Sequence, residues 1–577
     1  MEPFDIAIFI AIGLVTIVVA GVFGGKLGIA APLLLILIGA GFSFIPGAPV
    51  NVPGEIILLG LLPPILYSSA ITVPIVDFRR NFASISALSV GLVVVTTFAT
   101  GTLLWWLFPA LSLPAAIAVG AVISPTDAVA ATAVAKRFGL PPRLVTILEG
   151  EGLVNDATAL VLLRSAIAAT AATVTFWDGL LDFAFAVSVA IAIGLVIGVI
   201  TVWARSRLRD PLLDTAISFA VPFLAFIPAE FVGASGVIAV VAAGLYSGHH
   251  AARRFSPQVR SIERTNWRTI QFVLENGVFL LMGLELSRLL RNVEEDDLSI
   301  GQAIVFGLIV TVALIVIRFA FVAPLLLLLR RGERRARDRQ ERYRGVFERL
   351  PDAEGMPDRY VRRLARAQKS LERRDNDLRQ LREQGLGWRG GVILGWSGMR
   401  GVVTLAAAQS LPEETPYRDQ LVLIAFTVAI TTLLVQGGSL PWLIRLTGIQ
   451  GSDATADRRE LASLLDELNE AGLAVLESPR DEEGEPVDPA IVERVRGDTL
   501  LGAQATWERV EQDGLAEQRA PSPQRRYREL RRDVLQAERE ALLEARSAGS
   551  YSSRILARAQ AMLDLEETRL EQFDDSA

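Results

Sequence analysis

The chain has no cysteine among its 577 residues, so disulfides, thiolate metal sites and cysteine nucleophiles are all excluded. Histidine is nearly as scarce, with only the adjacent pair His249 and His250. Two neighbouring imidazoles argue against a multi-histidine metal centre or a Ser-His-Asp triad. A phosphate-binding loop of the G-x-x-x-x-G-K-[ST] type is missing too, which argues against ATP as a source of energy. Neither a basic leader nor a small-residue cleavage site accompanies the first apolar run after Met1-Glu2-Pro3-Phe4-Asp5. That run is therefore read as a membrane helix and not as a removable signal. These lacks point away from an enzyme, from a bound cofactor and from a nucleic-acid partner.

What is abundant is apolar surface. Hydrophobic residues make up 51% of the chain, and the mean hydropathy of +0.40 marks a polytopic membrane protein. About thirteen runs are long enough to span the hydrocarbon layer, from 4–23 to 420–444. The fifth, sixth and twelfth fall at 114–134, 145–171 and 391–411. With the N-terminus placed outside, the inward loops collect the basic residues. Examples are Arg79 and Arg80; Lys136, Arg137 and Arg143; Arg205, Arg207 and Arg209; and Arg253 through Arg268. Outward loops carry almost none, as the positive-inside rule requires. An odd number of spans then leaves the C-terminus in the cytoplasm. The expected domains are a membrane domain at 1–448, containing a charged helical insertion at 331–386, and a cytoplasmic helical tail at 449–577.

Charges inside the spans carry the chemistry. Each costs at least ~2.5–3.5 kcal/mol at the centre of a bilayer helix, so it persists only where it pairs, protonates or binds an ion. The sixth span contains Glu149-Gly-Glu151-Gly-Leu-Val-Asn155-Asp156. Glu151 and Asn155 are one helical turn apart and share a face. Asp156 is the best candidate for a carboxylate that takes either a proton or a cation. Low-dielectric surroundings disfavour the ionised form of any acid, which lets the two compete at cellular pH. In the fifth span, Ser124-Pro125-Thr126-Asp127 interrupts an apolar helix. Pro125 frees a carbonyl one turn back, and such a break at membrane depth is tolerated where protein, water or an ion satisfies it. Two readings stand for Asp127: an ion-site residue, or the cap of the second half-helix. The twelfth span holds Gly395-Trp-Ser-Gly398-Met-Arg400-Gly401. Arg400 stays charged and needs a buried partner; Glu151 is the first choice and Glu149 the second. Arg164, Glu275, Glu285 and Arg318 are further charges within spans.

Together with Leu61-Leu62-Pro63-Pro64-Ile65-Leu66-Tyr67, these motifs resemble the monovalent cation–proton antiporters. The similarity is to the sodium/proton exchanger branch with an Asn-Asp pair, bacterial type, and it runs in order through the membrane region. The resemblance implies an all-α polytopic fold of about thirteen helices with inverted repeats, in which two interrupted helices cross. It implies a core that moves past a dimerisation domain, a homodimer in the cell membrane and a role in pH homeostasis. The cation would be held by Asp156 and Thr126, with Asp127 and Asn155 close by, and Glu151 and Arg400 would form a structural ion pair. Ser124, Ser68 and Glu149 are candidates for a supporting role. Two positions depart from many relatives: Gly152 replaces a serine, and Ser68 replaces an acidic residue. The function so implied is Na⁺/H⁺ antiport, with Li⁺ as a further cargo. It would be electroneutral, because Asn155 cannot titrate. The alternatives are K⁺/H⁺ antiport at the same site, a cation channel, and a membrane sensor that has lost transport.

Overall fold

A backbone that crosses hydrocarbon must satisfy its own hydrogen bonds, and a long apolar chain does so by forming helices. The computed structural model describes residues 3–27, 31–45, 54–171, 176–208, 210–294, 299–347 and 386–449, with short stretches beyond them. Among these residues the secondary structure is helical throughout. The chain divides into two units, Met1–Gly451 and Ser452–Ala577.

The first unit holds α1 (Pro3–Leu27), α2 (Ala31–Ser43) and α3 (Leu62–Thr72). Next come α4 (Phe82–Leu107) and the interrupted pair α5 (Leu113–Ile123) and α6 (Ala128–Arg137). They are followed by α7 (Pro142–Ala171), α8 (Phe176–Arg205), α9 (Pro211–Phe231), α10 (Gly236–Arg254) and α11 (Pro257–Leu284). A short α12 (Leu286–Glu294) precedes α13 (Ile300–Phe347). The second interrupted pair is α14 (Trp388–Trp396) and α15 (Val402–Gln409), and α16 (Arg418–Thr447) closes the unit. Among the described residues, seven helices are long and apolar enough to cross a bilayer, and shorter apolar helices accompany them, most of them ahead of the first.

Where helices begin is written locally. Ser112, Asp210, Ser235 and Ser256 each accept a backbone N–H from the first turn of α5, α9, α10 and α11 respectively. Such a cap contributes about 1 kcal/mol. Proline follows within two residues in three of the four, where its missing N–H costs nothing.

Packing sorts the helices into two groups. One gathers α4, α5, α13, α15 and α16 around an apolar core that includes Leu104, Val119, Leu314, Leu405 and Ile424. The other gathers α3, α9, α10 and α11 around Tyr67, Val221, Val240 and Trp267. Helix α7 serves both: Ile147 and Leu163 join the first core, Leu153 and Ala157 the second. The helix carrying Asp156 therefore stands where the two groups meet.

Of the expected insertion, residues 331–347 continue α13 as helix, and 348–385 lie outside the described residues. In the second unit, helical turns are described at 470–475, 489–497 and 533–538. The helical stretch expected at 556–573 lies outside them, residue 563 apart.

Candidate ion site at the crossing of two interrupted helices

The two interruptions touch. Asp127 donates its backbone N–H to the Met399 carbonyl at 2.7 Å, which ties the break after α5 to the break after α14. Gly401 makes the approach feasible. A Cβ there would lie 2.8 Å from Asp127 Cβ and 3.1 Å from Asp127 Oδ2, closer than side chains tolerate.

Four half-helix ends converge, and each meets a charge or group of the sign that it favours. At the C-terminal end of α5, Arg400 Nε donates to the Ile123 carbonyl at 3.1 Å. Arg400 also donates to the Gly398 carbonyl, and its own N–H is held by Thr432 Oγ1 at 3.0 Å. At the end of α14, Arg318 Nε donates to the Leu394 carbonyl at 2.9 Å. At the N-terminal end of α6, Asp127 Oδ1 accepts from Val129 N at 2.8 Å. The start of α15, at Gly401, packs against the same carboxylate. Asp127 thus takes the capping role with one oxygen, while Oδ2 is buried with no hydrogen-bond partner among the described residues.

The expected Glu151–Arg400 pair is corrected by the structure. Glu151 is paired with Arg318, whose Nη1 and Nη2 donate to Oε1 at 2.6 Å and Oε2 at 2.9 Å. Both side chains are withdrawn from solvent. Arg318 lies on α13, which packs along α14, so it reaches Glu151 and the Leu394 carbonyl from one position. Arg400 emerges from the interruption itself and is drawn to the carbonyls that the break exposes. Gly398 separates the two guanidinium groups: a Cβ there would meet Arg318 Cδ at 2.6 Å and Arg400 Nη1 at 3.2 Å.

From Glu151 a buried chain of hydrogen bonds leads to the break. Thr126 Oγ1 donates to Glu151 Oε1 at 2.8 Å, and Asn155 Nδ2 donates to the Thr126 carbonyl at 2.7 Å and to its Oγ1 at 3.0 Å. Because a carbonyl only accepts, this contact fixes which end of the Asn155 amide is nitrogen. Its Oδ1 is left buried and without a donor among the described residues. The residues on the shared face of α7 do meet, through Thr126.

Asp156 points elsewhere. It is half-buried and makes no hydrogen bond or ion pair with the described residues. It lines a cavity of about 840 Å³ together with Thr126, Asp127, Gly401 and Thr404 from the crossing. The facing wall comes from α3 and α11. Ser68 is on that wall, its hydroxyl spent on the Ile65 carbonyl at 2.7 Å. Glu149 also lines the cavity, ion-paired with Lys136 at 2.7 Å. Ser124 is not on the cavity wall. It accepts from Thr97 at 3.1 Å and donates to the Ala121 carbonyl at 3.0 Å, so the supporting role expected of it is not seen.

Sequence reasoning also missed Arg205. It was counted as a loop charge, yet it is buried between Asp214 and Glu263, each at 2.7 Å. Glu263 accepts from Ser218, which in turn accepts from Trp267 Nε1 at 2.8 Å. The signal available was Asp214 beside a cap and Glu263 one helix later, but only the packing of α8, α9 and α11 joins them.

Comparison with known proteins bears on the family and the fold. A family model described as the transmembrane sodium/hydrogen exchanger matches residues 13–446. An uncharacterised Na⁺/H⁺ exchanger of Mycobacterium tuberculosis is 29% identical over 580 residues, covering 98% of this chain and 96% of the relative. The Na⁺/H⁺ antiporter ApNhaP of Aphanothece halophytica is 27% identical over 81% of this chain and 78% of its own length. Among solved structures, the sodium proton antiporter MjNhaP1 from Methanocaldococcus jannaschii superposes with a TM-score of 0.56 at 17% identity. That match covers 78% of this chain and all of the other, and it speaks for the fold. With the family model spanning nearly the whole membrane unit, the chain belongs to the sodium/hydrogen exchanger family.

Proposed function

We propose that this chain is a secondary antiporter that exchanges Na⁺ for H⁺, with Asp156 as the carboxylate for which the two compete. The observation that carries this reading is the set of uncommitted oxygens at the crossing. Among the described residues, Asp156 has no partner on the cavity wall, and Asp127 Oδ2 and Asn155 Oδ1 are buried acceptors without donors. Buried acceptors are nearly always satisfied in folded proteins, so orphaned ones beside a carboxylate suit a cation as cargo. Names borne by similar proteins, Na⁺/H⁺ exchanger and Na⁺/H⁺ antiporter, agree with that chemistry.

Charge counting supports one-for-one exchange. Glu151, Asp127 and Asp156 face Arg318 and Arg400, which leaves one negative charge in excess around the crossing. One proton or one monovalent cation neutralises it. In the inward-open state, Asp156 releases its proton to cavity water and takes Na⁺. The group of helices around the crossing then moves against the α3, α9, α10 and α11 group, and Na⁺ is released on the far side as a proton returns. Thr126, held by Glu151 and Asn155, keeps its remaining lone pair for the cation. The reading includes a cell-membrane location with the N-terminus outside and the tail in the cytoplasm, and assembly as a homodimer.

The test is proton flux in proteoliposomes with imposed Na⁺, Li⁺ or K⁺ gradients and an internal pH dye. Wild-type protein should move protons against Na⁺, and folded Asp156→Asn should not. Near-normal flux in that variant would overturn the assignment. An imposed membrane potential should leave the zero-flux point unmoved, since each net charge would be worth ~2.3 kcal/mol per 100 mV.

A further inference from the structure

Glu275 has no part in the exchange just described, yet it lines the same cavity from the facing wall. That wall is graded in charge along α11. Arg260, Arg264 and Arg268 line the cavity at successive turns, and Gln271 and Glu275 follow at the next two positions on the same stripe. Apart from Glu263, which is committed to Arg205, the stripe runs from a basic end, which repels a cation, to a carboxylate.

Glu275 is held in place. Gln271 Nε2 donates to Glu275 Oε1 at 2.7 Å and to Ser69 Oγ of α3 at 3.2 Å, which braces the carboxylate against a second helix. Its other oxygen has no hydrogen-bond partner among the described residues. Asp127 and Lys136 line the same cavity. Lys136 is already engaged by Glu149 at 2.7 Å, so it does not serve Glu275 as a counter-ion. What results is a braced carboxylate in the cavity that the crossing also lines, without an ion-pair partner among the described residues.

We propose that Glu275 is a second cation-binding position, an entry station on the facing wall that collects Na⁺ past the basic end of the stripe and passes it to Asp156. The proposal rests on the exchange reading above and adds a residue and a direction to it. A carboxylate beyond the arginines offsets their repulsion locally and concentrates cations beside it, since a cleft draws in the ion opposite in sign to the charge that lines it. The station belongs to the wall that does not carry Asp156, so it acts only while the cavity is open to Asp156. It therefore favours cation capture from the side onto which the cavity opens. No proton transfer by Glu275 is required, and the one-for-one balance is unchanged.

The experiment measures half-saturating Na⁺ from each face of the membrane separately, using full-length protein in proteoliposomes sorted by orientation. Glu275→Gln should raise half-saturating Na⁺ about three- to tenfold on the cavity side, the scale of one removed charge in a wet cleft. It should leave the maximal rate within about twofold and the opposite side unaltered. Glu275→Asp should restore most of the affinity, and Gln271→Leu, which frees the carboxylate from its brace, should give an intermediate loss. A purely structural role would instead lower the maximal rate or the folded yield with no sided change in half-saturation, and that result would overturn the proposal. An unchanged or symmetric half-saturation overturns it equally. Should Glu275→Gln fail to fold, the same sided measurement on Gln271→Leu decides. If wild-type protein shows no Na⁺-driven proton flux, the exchange reading itself has failed, and that outcome is distinguishable because no variant is needed to see it.

Discussion

Replacing Arg318 by alanine removes three hydrogen bonds at once: two to the Glu151 carboxylate and one to the Leu394 carbonyl at the end of α14. The pair is withdrawn from solvent, with side-chain exposures of 1% and 3%. Breaking one side of such a pair costs about 3–5 kcal/mol, chiefly because the other charge is left buried and alone. Glu151 would keep only the Thr126 hydroxyl. Thr126 orders the break through Asn155, so the perturbation should reach the ion site as well as stability. Arg400→Ala acts differently. It strips a charged donor from the Ile123 and Gly398 carbonyls, and hydrogen bonds of that kind contribute about 1.5–3 kcal/mol each. The two arginines are separated by combining each with Glu151→Gln in double-mutant cycles, read by equilibrium unfolding in mixed micelles. Arg318 and Glu151 should couple by about 1–3 kcal/mol, with the double variant more stable than the two single losses imply. Coupling between Arg400 and Glu151 should be smaller, because Arg400 spends its hydrogen bonds on backbone carbonyls and Glu151 accepts from Arg318 and Thr126. Additive losses for Arg318 and Glu151, within ~0.5 kcal/mol, together with strong coupling for Arg400, would refute the pairing.

Gly401→Ala should separate the two interruptions. Its Cβ would press on Asp127 at 2.8 Å, and overpacking of this kind costs about 1–3 kcal/mol. Sodium-driven flux should fall at least several-fold, with a lower melting point, and wild-type values for both would contradict the crossing geometry. Truncation after Gly451, where the first unit ends, should leave exchange measurable in proteoliposomes while altering its pH profile or thermal stability. Complete loss of flux in a well-folded truncation would show that the tail takes part in transport.

The breaks in the fifth and twelfth spans were legible in the sequence, while the caps at Ser112, Asp210, Ser235 and Ser256 emerged only with the structure. A break depends on a few neighbouring residues, a proline or a run of glycines. The meeting of Glu151 and Asn155 was legible for a related reason, since one helical turn fixes which side chains share a face. Asp156 and its neighbours stood out because charge at membrane depth is costly wherever the helix goes. The partner of Glu151 was not legible. Arg318 and Arg400 are both intramembrane arginines, and the choice between them depends on how α13 rotates and slides against α7 and α14, which no local pattern encodes. The same reason hid Arg205 among the loop charges until α9 and α11 packed acids around it, and turned Ser124 towards Thr97, away from the cavity. The sequence by itself determined which groups must be satisfied. The tertiary structure decided which of them satisfy one another, and so which oxygens are left for the ion, because hydrogen-bond partners on different helices are set by distances of a few tenths of an ångström between whole elements.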